Sequence, residues 1–157
     1  MVSKTLFSSR SEEWGTPQDL FDYLDGMFHF DLDAAASVGN AKCSKYYSKD
    51  DDALLQDWVG RVWLNPPYGK QIYWWMKKAY ESVNAECVVV LVHARTDTKW
   101  WHDWVMRASE VWFIEGRLKF VRDDGVANSA TFPSVLVVFD GGGTPLMRAL
   151  KKSEWKK

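Results

Sequence analysis

Apolar positions change period along this chain, and each change marks an element. Leu20, Phe21, Leu24, Met27 and Phe28 recur at helical spacing behind Thr16 and Pro17, which predicts a helix opened by a threonine cap and a first-turn proline. FDLDA (30–34) reads as a short strand and SKYYS (44–48) as another, with KDDDALLQD between them and RVWLN (61–65) as a turn. RVWLN itself is a strand, Ile72 to Val83 a helix, and Cys87 to Val92 a continuous apolar run of the kind covered on both faces in parallel sheets. Thr98 to Arg107 suits a helix and Val111 to Ile114 a strand. RLKFV and SVLVVF, joined by the polar stretch RDDGVANSATFP, predict an antiparallel hairpin at a sheet edge. Strands alternating with helices argue for a three-layer α/β fold.

The length, 157 residues, fits one core, so residues 14–150 are expected to form a single domain. Residues 1–13 are expected to be flexible and 151–157, KKSEWKK, a solvated basic tail. Net charge is −1, which excludes a whole-molecule positive field, so any contact with a polyanion must be local. Two cysteines, Cys43 and Cys87, are too few for a disulfide framework or a zinc site, and no metal is expected. No stretch reaches the roughly 20 apolar residues of a membrane span, and the expected compartment is a reducing cytoplasm. The ten tryptophans fill the core or, as with Trp74, Trp75, Trp100, Trp101 and Trp104 near basic residues, offer faces to planar ligands.

The chemistry concentrates in NPPY, Asn65–Pro66–Pro67–Tyr68, after a strand and before a helix. Ligands of parallel α/β sheets gather outside the strands' carboxyl ends, and two prolines make the turn there stiff. Asn65 and the proline carbonyls can accept the two hydrogens of an exocyclic amine, while Tyr68 stacks on its ring. A plain strand-to-helix turn with a capping asparagine is the structural alternative.

These residues resemble a family. NPPY is the signature of amino methyltransferases that use S-adenosylmethionine, and WGTPQDLFDYLDGMFHFDLDAAAS, NAKCSKYYSKDDDALLQDW, ARTDTKWWHDW, GRLKF and FPSVLVVF together look like the small phage-type DNA N-6-adenine methyltransferases over about residues 14 to 139. The resemblance implies a Rossmann-like class I methyltransferase fold, a mostly parallel seven-stranded sheet with an antiparallel hairpin at the edge. It implies S-adenosylmethionine as cofactor, DNA as partner and a phage or prophage gene in a bacterial host. Asn65, Pro66, Pro67 and Tyr68 become the catalytic turn. Trp14, Thr16 and Pro17 would help hold the methionine end of the cofactor, Asp31, Asp33 and Ala34 would meet it at the first strand, and Asp57 and Trp58 its adenine, with Asn65 also in contact. A capping or core role for Asp57 and Trp58 stands beside that assignment.

DAAAS replaces the family's glycine-rich turn, and no ribose carboxylate is evident, with Asp50, Asp51 and Asp52 as candidates. Because the sulfonium leaves as a neutral thioether, no catalytic histidine is needed, and His29, His93 and His102 are read as structural or surface residues. Tyr68 would take one face of a flipped base and Phe132 or Phe120 the other. Lys70, Arg95, Lys99, Arg117 and Lys119 would meet the DNA backbone. Almost nothing remains for a separate target-recognition domain, which implies low or short sequence specificity. Two alternatives remain: the same NPPY chemistry on protein glutamine or RNA, and a non-catalytic nucleic-acid-binding module.

Overall fold

The computed structural model describes residues 15–122 and 124–157. Trp14 and the segment 1–13, expected to be flexible, lie outside the described residues. Helix α1 (Gln18–Phe28) buries Leu20, Phe21 and Leu24 of the expected stripe, while Phe28 is half-buried and Met27 exposed. It leads into β1 (Leu32–Asp33), β2 (Lys45–Tyr46), two short 3₁₀ turns (Lys49–Asp51 and Ala53–Leu55) and β3 (Gly60–Leu64). Then follow α2 (Ile72–Glu81), β4 (Ala85–His93), α3 (Lys99–Asp103) with a 3₁₀ turn at Val105–Arg107, and β5 (Glu110–Ile114). The chain closes with β6 (Lys119–Val121), β7 (Ala127–Ser129), β8 (Ser134–Phe139), β9 (Leu146–Leu150) and α4 (Lys152–Trp155).

Seven strands form one sheet in the order β2-β1-β3-β4-β8-β5-β9, and β6 with β7 forms a separate antiparallel hairpin. Only β8 runs against its neighbours in the large sheet. The fold class is therefore the expected one, a mostly parallel seven-stranded sheet with a hairpin. The hairpin's partners differ from expectation. RLKFV pairs with the short ANS strand, whereas SVLVVF lies inside the sheet between β4 and β5. The reason is burial: all six residues of β8 are buried, and a strand apolar on both faces is stable only with neighbours on both sides. The sheet ends instead at β9, whose first four residues are exposed.

Alternation along β4 sorts the core into the two faces of the sheet. Val88, Val90 and Val92 pack with Trp75 and Met76 of α2 and Trp100 and Trp101 of α3. Cys87, Val89 and Leu91 pack with Leu20, Phe21 and Leu24 of α1 and with Trp155 of α4. Helices thus cover both faces and complete the three layers. Trp155 also corrects the reading of 151–157 as a solvated tail, because its indole is buried in the second cluster.

Candidate active site at the carboxyl edge

The parallel strands carry Asp33, Asn65 and His93 to one edge of the sheet, and the segment from β5 to β8, hairpin included, leaves and rejoins the sheet at that same edge. Asn65 follows Leu64, the last residue of β3, and Pro66 behind it is buried. Its side-chain amide donates from Nδ2 to Thr16 Oγ1 at 3.1 Å. Thr16 is itself buried, and its hydroxyl holds the Asn65 amide in place at the end of β3. Thr16 thus serves Asn65 rather than capping α1, whose start has no side-chain cap. The preceding residue, Gly15, exchanges two backbone hydrogen bonds with Val121 of the hairpin, at 2.6 and 3.0 Å. A Cβ at Gly15 would lie 2.9 Å from the Val121 carbonyl, so the approach requires glycine.

Tyr68 turns its ring back onto the edge. It stacks on His93 with centroids 4.1 Å apart and planes 11° off parallel. His93 in turn lies 5.3 Å from the ring of Phe132, and the Arg95 guanidinium sits 4.6 Å from that ring on Phe132. Burial pushes the Tyr68 phenol well above its ordinary range. Burial first, and then the charges of Arg95 and Arg117, hold the His93 imidazole below its usual pKa, which favours the neutral ring near pH 7.

Asp33 is buried at the end of β1. Its carboxylate accepts from the backbone N–H groups of Ala35 at 3.3 Å and Lys42 at 3.0 Å, yet burial outweighs both and raises its pKa to about 6. A buried carboxylate of this kind, beside the edge and short of charge compensation, fits the positively charged end of a ligand. The alanine turn after it is tight: Ala34 N–H donates to Trp63 O and Ala36 N–H to Tyr47 O.

Several residues singled out in the sequence stand elsewhere. Asp31 precedes β1 and accepts from Arg61 N–H at 2.9 Å, where it pins the start of β3. Gly60, with φ +82°, makes room for it, since a Cβ there would meet Asp31 Oδ2 at 2.5 Å. Asp57 and Trp58 lie at the opposite end of β3 from Asn65. The Asp57 carboxylate accepts from Asn84 Nδ2 at 3.1 and 3.0 Å, and Trp58 is fully buried with its indole donating to Ala53 O. Trp58 is thus a core residue, whereas Asp57 is exposed and holds Asn84. Asp51 caps its own turn through Ser48, which leaves Asp50 and Asp52 exposed without a defined task.

Phe120 is buried in the second core cluster, so of the two phenylalanines only Phe132 reaches the Tyr68 column. Lys70 and Lys119 are exposed, and Arg117 donates to Thr131 O at 2.7 Å, which braces the loop that carries Phe132. Lys99 is tied to Asp103 one turn on, at 2.5 Å, and so is the least available of the basic set. Trp75, Trp100 and Trp101 are core residues, whereas Trp74 is 53% exposed. His93, read in the sequence as structural, is the last residue of a buried run and lies against the Tyr68 ring of the NPPY turn.

Among the described residues no group of three or more His, Cys, Asp or Glu side chains could hold a metal, and no helix is long and apolar enough to cross a membrane. A family model for DNA N-6-adenine-methyltransferase (Dam) matches residues 3–152. The chain is 29% identical over 147 residues to the DNA N-6-adenine-methyltransferase of Haemophilus phage HP1 (strain HP1c1), a match covering 89% of this chain and 85% of that protein. It is 37% identical over 110 residues to the DNA N-6-adenine-methyltransferase of Escherichia phage T1, covering 67% of this chain and 45% of that longer protein.

Proposed function

The chain belongs to the DNA N-6-adenine-methyltransferase (Dam) family, and on that premise we propose that it transfers a methyl group from S-adenosylmethionine to the N6 amine of adenine in DNA. The observation that supports this reading is the stiff turn at the end of β3, where the buried Thr16 holds the Asn65 amide. S-Adenosylmethionine supplies, when bound, a methyl group on a sulfonium that departs as a neutral thioether. The protein's share is orientation and charge. Asn65 Oδ1 and the Pro66 carbonyl accept the two amine hydrogens, which draws the nitrogen lone pair out of the ring and aims it. Those acceptors would also stabilise the positive charge that methylation places on the nitrogen. The extra proton then passes to water.

Asp33, Ala34, Thr16 and Pro17 are the residues that would hold the donor. The raised pKa of Asp33 supports this, because a cationic ligand relieves the cost of its buried charge. Adenine in a duplex is stacked and paired, so it reaches the turn flipped out or already single-stranded, with Tyr68 on one face and Phe132 on the other. Lys70, Arg95, Arg117 and Lys119 meet phosphates around the mouth, with Lys99 a weaker fifth. Loops 35–57 and 122–132 are the segments left to read bases, which supports short or weak sequence specificity.

Incubation with a methyl-labelled donor and DNA, RNA and protein in parallel, followed by mass spectrometry of the digests, tests the reading. N6-methyladenine in the DNA arm is the expected product. Label confined to RNA or to glutamine would move the acceptor, and no label in any arm would refute methyl transfer.

A further inference from the structure

Both rings assigned to the target base have a third ring, that of His93, against them. We propose that His93 is a substrate-site residue that holds the base's place against Tyr68 and gives way to it when adenine enters. The proposal rests on the methyl-transfer reading above.

Three observations carry it. The imidazole lies on Tyr68 at 4.1 Å and 11°, the spacing and near-parallel attitude of a stacked base, and its centroid is 5.3 Å from that of Phe132 at a tilt of 42°. No base can take that face of Tyr68 while the imidazole occupies it. His93 is also the last residue of β4, with its backbone held by pairing to Ser134, so its side chain can rotate away without moving the strand. Finally, nothing polar pins the tyrosine partner: the buried Tyr68 hydroxyl has no hydrogen-bond partner among the described residues, so the pair is held by ring contact.

The arrangement gives His93 a defined job. An empty aromatic slot would expose the Tyr68 ring to water and admit any flat molecule. A neutral five-membered ring covers it and yields to a larger one that also satisfies Asn65. Adenine offers the amine that Asn65 and Pro66 accept, whereas thymine offers none. The cost of displacing the ring is the same for every base, so it keeps weakly stacking molecules out of the empty slot, while adenine recovers that cost at Asn65 and Pro66.

The readouts separate this role from that of a permanent wall. For His93→Ala, KM for adenine-containing DNA falls by roughly two- to tenfold, the equilibrium weight of one aromatic pair, because the competent fraction is no longer reduced. The ratio of affinities for adenine-containing and thymine-only oligonucleotides stays unchanged, because both gain the same competent fraction. A higher KM in that variant, with S-adenosylhomocysteine binding intact, would overturn the proposal. The His93 ring protons of the free wild-type protein should be shifted upfield by Tyr68, lose that shift in Tyr68→Leu, and move on addition of an adenine oligonucleotide. Absence of the shift refutes the placement even if the enzyme methylates DNA. A wild-type protein that methylates no DNA refutes the function instead, a failure these spectra keep distinct.

Discussion

Asp33 gives the most quantitative test. Its carboxyl is buried, and its pKa in the folded protein is raised from an ordinary 3.8 to about 6, chiefly by desolvation. Below the lower value both folded and unfolded chains carry the proton; above the upper value neither does. Between them only the folded chain holds it, so stability falls as pH rises through this window. The two-unit gap corresponds to about 3 kcal/mol, most of which should appear between roughly pH 4 and pH 7.5. Asp33→Asn supplies the reference. Its amide keeps an acceptor for one of the two N–H groups of Ala35 and Lys42 and turns a donor toward the other, a penalty of about 1–3 kcal/mol that does not vary with pH. Urea denaturation of both proteins across that range should show the wild type losing roughly 2 to 3 kcal/mol relative to the variant as pH rises. Parallel curves would refute the assignment of a buried, proton-holding carboxyl. The same residue links stability to ligand binding: affinity for S-adenosylmethionine by calorimetry should rise with pH through about 6 in the wild type and stay flat in Asp33→Asn.

Other substitutions separate site from scaffold. Asn65→Ala should lose on the order of 10²-fold or more in kcat with S-adenosylhomocysteine affinity retained, measured by single-turnover methyl transfer and calorimetry. Phe120→Ala removes a core ring and should cost about 3–5 kcal/mol by chemical denaturation, whereas Phe132→Ala should stay within about 1 kcal/mol and raise KM for DNA. Gly60→Ala must place a methyl group against Asp31 at a positive φ and should lower stability by roughly 2–3 kcal/mol, read as a fall in Tm.

What could be read from the sequence was whatever depended on local pattern. The strand RVWLN, the turn NPPY and the helix after it all stand where period and proline chemistry put them. The run at Cys87–Val92 was legible as a two-faced strand because both faces are in fact covered. The same logic applied to SVLVVF would have placed it inside the sheet; proximity in sequence to RLKFV argued for a hairpin instead and lost to burial. LMRAL escaped notice because an edge strand with exposed residues on both faces has no alternation to detect.

At the site, position along a strand mattered more than residue type. Asp33 and Asp31 are the same residue two places apart, yet one reaches the carboxyl edge and the other pins the start of β3. Thr16 looked like a cap because threonine before a helix often is one, and its bond to Asn65 spans a sequence separation that no local pattern encodes. His93 was discounted because the chemistry needs no histidine. In the structure its ring stacks on Tyr68.

The central claim is that the turn at Asn65 and the buried edge at Asp33 form one methyl-transfer site. A crystal structure with S-adenosylhomocysteine and an adenine oligonucleotide tests it most directly. The account predicts the ligand's amino-acid end beside Asp33 and Thr16, and its sulfur aimed at an adenine N6 held by Asn65 Oδ1 and the Pro66 carbonyl. A ligand seated at the opposite end of β3, near Asp57 and Trp58, or an adenine bound away from Tyr68, would contradict it.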